Sequence, residues 1–482
     1  MGKLRQYQVT LACSLGNFVT GVLYVWPSYT LHQYTSSNTT LLKEPMTEVE
    51  GSLLGSLPSL GAMVGTMLAG PVINALGRQK GGLCIAMPFV LSWLAVDLSS
   101  SSVFVLLARF VGGMACGACF VHSPVFISEI ADQSIRGLLA TAPMAFYCLG
   151  IFVSFVMGWT LTFKYIIWIN IFFCLLYAAL LMSVRESPVF LFMKNNEEEA
   201  RQSIAYYKGV SPESKSVLEE LSRLKQQLLP SVELVSINGD GKIEEAEKEK
   251  LNDEDNEAQN DTQKMPAYKM LLFSPTSRRA FIIVSLTVSF QVLMGMVAVQ
   301  VYAKVIFSEA APSLSSHMCS VLFALVLLLG CVSCALFSDR FGRKPLIIGS
   351  SIIVAICLSG MGVLMQTSIA PAWVTAVMIL VFCFVFMFGA GSVPYVLLAE
   401  LFVTEVQSLA SMIVMELVWL LNFLLVGVFP FMSKALGIYG CFYIFAVFGV
   451  LDALVGIFLV PETKGLSKDQ IQERLRGRRA EI

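Results

Sequence analysis

Two side chains with chemistry of their own interrupt stretches that are otherwise apolar. Glu416 lies in the run 410–431, one turn before Trp419, and Gln291 lies in the run 279–302. A carboxyl in such a place can bind a proton and pass it on, meet a cationic group, or make a structural hydrogen bond. An amide facing lipid is costly, so Gln291 is expected to face a cavity. Gln291, Gly295, Ala298 and Tyr302 form a single stripe at helical spacing, the face expected to turn toward that cavity. Asp452, in the run 438–460, is a more peripheral acid, and His122 beside Pro124 stands alone and reads as packing. Cys116–Cys119 and Cys331–Cys334 have the CxxC spacing. They sit among apolar residues, without the polar setting that metal or redox thiolates require, and read as small packing residues. No phosphate-cradling GxxxxGK[ST] loop is present, so no ATP chemistry is expected. No cofactor or metal and no covalent catalysis is expected either.

The elements that must position these residues follow from composition. The chain has 482 residues, 56% hydrophobic and 14% charged. Soluble chains carry about 25% charged residues, so the apolar excess here must face lipid. A soluble enzyme and a disordered protein are excluded, and a net charge of −1 offers no field for nucleic acid. A membrane-spanning helix takes about 20 apolar residues. Twelve runs have that length: 8–28, 52–74, 82–100, 103–127, 138–160, 163–184, 279–302, 318–338, 345–366, 374–398, 410–431 and 438–460. Met1–Thr10 leads directly into a full-length run, so no cleavable signal peptide is expected. With both ends cytoplasmic, 28 of the 33 Lys and Arg fall in cytoplasmic loops and tails, as the positive-inside rule demands. Asn38-Thr39-Thr40 is then a glycosylation sequon in the first outer loop, while Asn260-Asp261-Thr262 lies inside and stays bare.

The stretch 186–278 is different material, with 18 acidic and 12 basic residues. Residues 197–229 suit one or two amphipathic helices, whereas 231–264 bury too little apolar surface to fold and read as a disordered tether. On either side of it the runs repeat. Gly77-Arg78-Gln79-Lys80 follows the second run, and Asp339-Arg340-Phe341-Gly342-Arg343-Lys344 follows the eighth. Pro124 and Glu129 end the fourth run, and Pro394 and Glu400 the tenth. Two parallel six-helix repeats follow: a bundle over 1–185, a linker over 186–278, a bundle over 279–460 and a tail over 461–482. Arg and Lys at these helix ends can pair with Glu129 and Glu400 of neighbouring helices.

These motifs, in this order, resemble the sugar-porter branch of the major facilitator superfamily. The resemblance also rests on Arg109-Phe-Val-Gly-Gly113, Arg136-Gly137, Glu186-Ser187-Pro188 and Pro461-Glu462-Thr463-Lys464-Gly465. Ala142-Pro143-Met144-Ala145-Phe146 is similar to the insect facilitated trehalose transporters. The resemblance implies an all-α membrane protein of twelve transmembrane helices, alternating access, and a sugar as solute, trehalose or a hexose. It also implies a multi-pass protein of the plasma membrane. Arg78, Glu129, Arg136, Asp339, Arg340, Arg343 and Glu400 match the family's cytoplasmic gate. Asn74 replaces an acid of that gate, Gln407 replaces an arginine, and Arg185 replaces a proline. Thr20, Gln291, Tyr395, Trp419 and Asn422 match substrate positions, whereas Val292, Val297, Met144 and Leu327 stand where the family has amides. Each lost hydrogen bond is worth about 0.5–1.5 kcal/mol, so weak hexose binding is expected. Two other readings stay open: a porter for a less polar solute, proton-coupled through Glu416, and a non-transporting receptor.

Overall fold

The computed structural model describes residues 2–132, 134–236, 267–466 and 468–476. The first set of crossings is α1 (Gly2–Thr35), α2 (Glu48–Leu76), α3 (Arg78–Leu98), α4 (Ser102–Ile130), α5 (Arg136–Thr160) and α6 (Phe163–Met182). Short helices α7 (Pro188–Met193), α8 (Glu197–Lys208), α9 (Lys215–Ser236) and α10 (Ala267–Phe273) follow. The second set is α11 (Pro275–Leu293), α12 (Met296–Val301), α13 (Ala303–Ala310), α14 (Ser316–Phe341), α15 (Arg343–Thr367), α16 (Ala372–Phe388), α17 (Val393–Glu400) and α18 (Thr404–Phe458). The tail carries α19 (Lys468–Arg476).

Local chemistry explains several of these limits. Thr47 caps α2 in a reciprocal box: Glu50 N donates to Thr47 Oγ1 at 3.2 Å, and Thr47 N to Glu50 Oε2 at 2.9 Å. Small residues let helices approach closely in lipid, where no hydrophobic drive joins them. A Cβ at Gly65 or Gly117 would strike the backbone of Met114 or Ala62, which is why α2 and α4 pack backbone to backbone. Gly77 and Gly342 make the same turn in the two sets, with φ 97° and 85°.

Eleven described segments are long and apolar enough to cross a membrane. The last, Val406–Phe458, has 53 residues, about twice the length one crossing needs. Gly437, at φ 73° and ψ 162°, breaks it in two, and the twelve expected crossings are present. The chain is a multi-pass membrane protein.

Three expectations need correction. The seventh crossing is not continuous, because Gly295 has φ 84° and separates α11 from α12. The stripe through Gln291, Gly295, Ala298 and Tyr302 therefore does not exist as one face, and a Cβ at Gly295 would strike the Phe445 ring. The tenth crossing is likewise broken, between α16 and α17. Finally, α9 runs to Ser236, so the segment 231–264 begins inside a helix. The 3–4 residue spacing of Leu221, Leu224, Leu228, Val232 and Val235 carries the helical pattern that far. Residues 237–264 lie outside the described residues.

Arg5 Nη1 donates to the Tyr206 carbonyl at 2.7 Å, and Arg279 Nη1 to the Leu475 carbonyl at 2.8 Å. The N-terminus, the linker helices and the tail thus share one side, called here the terminal side. The connection 36–47 lies on the opposite, far side.

Candidate functional site

On the terminal side, the same network is built twice. Arg78 Nε meets both Glu129 oxygens at 3.1 and 2.9 Å, and its Nη2 meets Oε1 at 2.6 Å. Arg343 Nε and Nη2 meet Oε1 of Glu400, at 3.2 and 2.9 Å. Ser187 Oγ donates to Glu129, and Thr463 Oγ1 to Glu400, each at 2.5 Å. Glu186 caps α3, accepting from Arg78 N at 2.7 Å, and Glu462 caps α15, accepting from Arg343 N at 3.0 Å. The sequence motifs include both caps, yet they assign Glu186, Ser187, Glu462 and Thr463 no role. Their signal was the second pair of repeated motifs, directly after the sixth and twelfth runs.

The two caps differ electrostatically. Burial pushes the Glu186 carboxyl up, despite N–H donors from Ser187, Arg78 and Gln79. Burial acts the same way on Glu462, but four backbone N–H groups outweigh it and hold that carboxyl below its usual range. Asn74, in place of an acid, still accepts from Arg78 Nη1 at 3.4 Å. Arg136 is exposed and donates to the Ser128 carbonyl at 3.3 Å. The side chains of Asp339 and Arg340 lie outside the described residues. Each ion pair lies within one six-helix set, and neither bridges the two sets.

Contacts between the sets gather on the far side. Ser52 Oγ donates to the Gly427 carbonyl at 2.5 Å, and Lys304 N to Ser28 Oγ at 3.1 Å. Lys434 Nζ pairs with Glu48 at 2.7 Å, although both side chains are 69% exposed.

At the centre the sets also touch. Trp419 Nε1 donates to Thr66 Oγ1 of α2 at 2.9 Å, and its ring stacks with Tyr24 and lies tilted against Phe120, with centroids 6.2 and 5.8 Å away. Tyr147 of α5 donates to Gln300 Oε1 of α12 at 3.3 Å. Gln291 Nε2 donates to the Gly391 carbonyl at 3.4 Å, and its side chain also meets Tyr395 across the two helix breaks. Two buried amide oxygens, Gln291 Oε1 and Asn422 Oδ1, have no hydrogen-bond partner among the described residues. Of the five residues expected here, the structure thus joins Gln291 to Tyr395, and Trp419 to α1, α2 and α4. Thr20 turns elsewhere: its hydroxyl returns to the Gly16 carbonyl at 2.9 Å and faces Cys116 of α4. Gln300 was missed, because a helix assumed continuous does not place it beside Gln291.

Both carboxylate oxygens of Glu416 are buried without a hydrogen-bond partner among the described residues. Asp452, read from sequence as peripheral, is fully buried and accepts from Ser351 Oγ at 2.6 Å. Asn38 is exposed in the far-side connection.

The chain is 25% identical to the facilitated trehalose transporter Tret1 of Aedes aegypti, over 98% of this chain and 55% of that one. It is 26% identical to Tret1 of Polypedilum vanderplanki, over 98% of this chain and 88% of that one. It spans about half the length of several of these relatives. Among solved structures, it is similar to the partially occluded inward open conformation of the xylose transporter XylE from E. coli. That match has a TM-score of 0.74 at 22% identity and covers 96% of this chain and 99% of that one. The proton:xylose symporter XylE bound to 6-bromo-6-deoxy-D-glucose gives a TM-score of 0.73 at 21% identity, over 98% and 100%. The fold is that of the major facilitator superfamily. Residues 13–475 match the family described as sugar (and other) transporter, and with nearly its whole length so matched the chain belongs to that family.

Proposed function

We propose that this protein is an alternating-access transporter that carries a sugar, trehalose or a hexose, down its gradient. The observation that carries this reading is the pair of orphan amide oxygens, Gln291 Oε1 and Asn422 Oδ1, buried beside Tyr395 and Trp419. A hydroxyl leaving water must regain its hydrogen bonds, and two acceptors flanked by aromatic rings supply them. The trehalose and xylose transport of the relatives points the same way. In this reading the solute enters where Trp419–Thr66 and Tyr147–Gln300 now close the centre. Arg78, Glu129, Arg136, Asp339, Arg340, Arg343 and Glu400 form the gate on the terminal side. That side is cytoplasmic by its Lys and Arg content, the membrane is the plasma membrane, and Asn38 carries the glycan.

A second reading is favoured by Glu416, whose two oxygens are buried and unpaired among the described residues. A carboxyl there can carry a proton with the solute. Uptake of labelled trehalose and hexoses into expressing oocytes, with and without a pH gradient, separates the two. The first reading expects saturable uptake that ignores the gradient and is lost in Gln291→Ala. Uptake that requires the gradient and is lost in Glu416→Gln favours the second. Correctly inserted protein that moves no sugar overturns both.

A further inference from the structure

Of the buried donors in the first six-helix set that have no acceptor among the described residues, three belong to neighbouring side chains. Arg109 of α4 is 1% exposed, and its Nε and Nη1 donate to the Leu54 and Leu23 carbonyls at 3.1 and 2.8 Å. Its Nη2 has no partner among the described residues, and neither do the indole Nε1 groups of Trp26 in α1 and Trp93 in α3. Both indoles are fully enclosed. The three side chains are neighbours: the Trp26 and Trp93 ring centres lie 5.6 Å apart, and Arg109 Cζ lies 5.4 Å from the Trp26 ring. Tyr34 and Phe163 pack on Trp26 at 5.7 and 5.9 Å.

The charge in this cluster is one-sided. The ionisable groups facing Arg109 are Cys116, Tyr24, Tyr34 and Tyr29, a thiol and three phenols that are neutral at physiological pH. No carboxylate is among them. A guanidinium keeps its proton, so a positive charge stands within the membrane-spanning bundle, met among the described residues by two carbonyls and the face of the Trp26 ring and by no anion. A buried donor left without an acceptor is costly, and a buried ion without a counter-charge more so. Three donors and a cation make the complement of a ligand that only accepts hydrogen bonds and carries one negative charge. Water fits less well: it brings two donors of its own and leaves the charge unbalanced. Complete burial behind aromatic rings selects a small ion over one attached to a larger solute.

We propose that Arg109 Nη2, Trp26 Nε1 and Trp93 Nε1 form a buried site for chloride or a similarly small monovalent anion, whichever solute the protein carries. The site ties α1, α3 and α4 together near their far-side ends and uses none of the residues at the centre.

The test uses the full chain purified in uncharged detergent and exchanged into sodium gluconate. Chloride and bromide are then titrated at constant ionic strength. Melting temperature should rise saturably with either halide. Bromide, which quenches indoles, should add a saturable component to the quenching of tryptophan fluorescence. Trp93→Phe keeps the ring and removes one donor to the ion, so the half-saturating bromide concentration should rise about tenfold or more. Arg109→Gln should abolish saturation. Coincident behaviour in halide and gluconate overturns the proposal, as does a Trp93→Phe variant that titrates like the parent. If Arg109→Gln does not fold, the Trp93→Phe titration decides.

Discussion

Glu129→Gln and Glu400→Gln are the same change in the two repeats, and the geometry makes their costs unequal. Arg78 and Glu129 have side chains only 5% and 12% exposed, against 16% and 26% for Arg343 and Glu400. Arg78 meets both oxygens of its partner, and Arg343 meets Oε1 of its own through Nε and Nη2. Neutralising Glu129 strands a guanidinium that is 4% exposed. Removing one partner of a buried pair costs about 3–5 kcal/mol, and an exposed pair is worth about 0–1 kcal/mol. The substituted amide would keep one acceptor, so we place Glu129→Gln near 3 kcal/mol, roughly the floor of the buried range. Glu400→Gln belongs near 1 kcal/mol, roughly the top of the exposed range. The gap of about 2 kcal/mol is roughly 30-fold in an equilibrium constant. SDS-induced unfolding in mixed micelles measures it directly. Adding Arg78→Gln to Glu129→Gln should recover part of the loss, because no charge is then stranded. Equal losses in the two repeats, or a double variant that loses the full sum, would refute the reasoning.

Two further outcomes are expected. Glu186 and Glu462 should respond oppositely to pH. A raised carboxyl contributes stability at low pH that is lost as pH rises through its folded value, and a lowered one contributes stability at neutral pH that is lost as pH falls. Glu462→Gln should therefore lower the melting temperature more than Glu186→Gln near neutrality, with the difference shrinking in mild acid, as thermal melts at the two pH values will show. Separately, the thiols of Cys148 in α5 and Cys331 in α14 lie within reach of each other across the two sets. A membrane-permeant dithiol oxidant should join them and, under the proposed function, stop solute movement until a reductant is added, with Cys148→Ser resistant. The bond is read on a gel after cleavage at a protease site inserted in the linker, and halves that separate after oxidation contradict the contact.

Most of the fold is legible in the sequence because lipid demands long apolar runs, and the repeated Gly77-Arg78 and Gly342-Arg343 motifs mark where each repeat turns. What hydropathy does not register is a break inside an apolar run. Gly295 costs nothing in hydrophobicity yet redirects the chain, so spacing gives Gln291 the wrong companions and Gln300 none. Trp419 and Asn422 share one face, as spacing alone gives, because their helix is unbroken there. The caps Glu186 and Glu462 act from outside the runs, through backbone N–H groups far away in sequence, so their repeated motifs mark the positions without naming the partners. Asp452 reads as marginal for a similar reason: its partner, Ser351, belongs to a different helix.

The break at Gly437 has a mechanical consequence. No loop separates the eleventh and twelfth crossings, since helical hydrogen bonding resumes on both sides of one residue at φ 73°, a backbone angle that side-chain-bearing residues resist. The two crossings therefore form a single bent lever that turns at one residue. One arm carries Trp419, which touches the opposite repeat, and the other is pinned to α15 through Asp452 and Ser351. If the centre opens as proposed and Trp419 releases Thr66, no loop between the two crossings absorbs the displacement. It must arrive at α15, whose first residue, Arg343, holds Glu400. The elbow thus converts events at the middle of the membrane into torque on the helix that begins at the terminal-side ion pair.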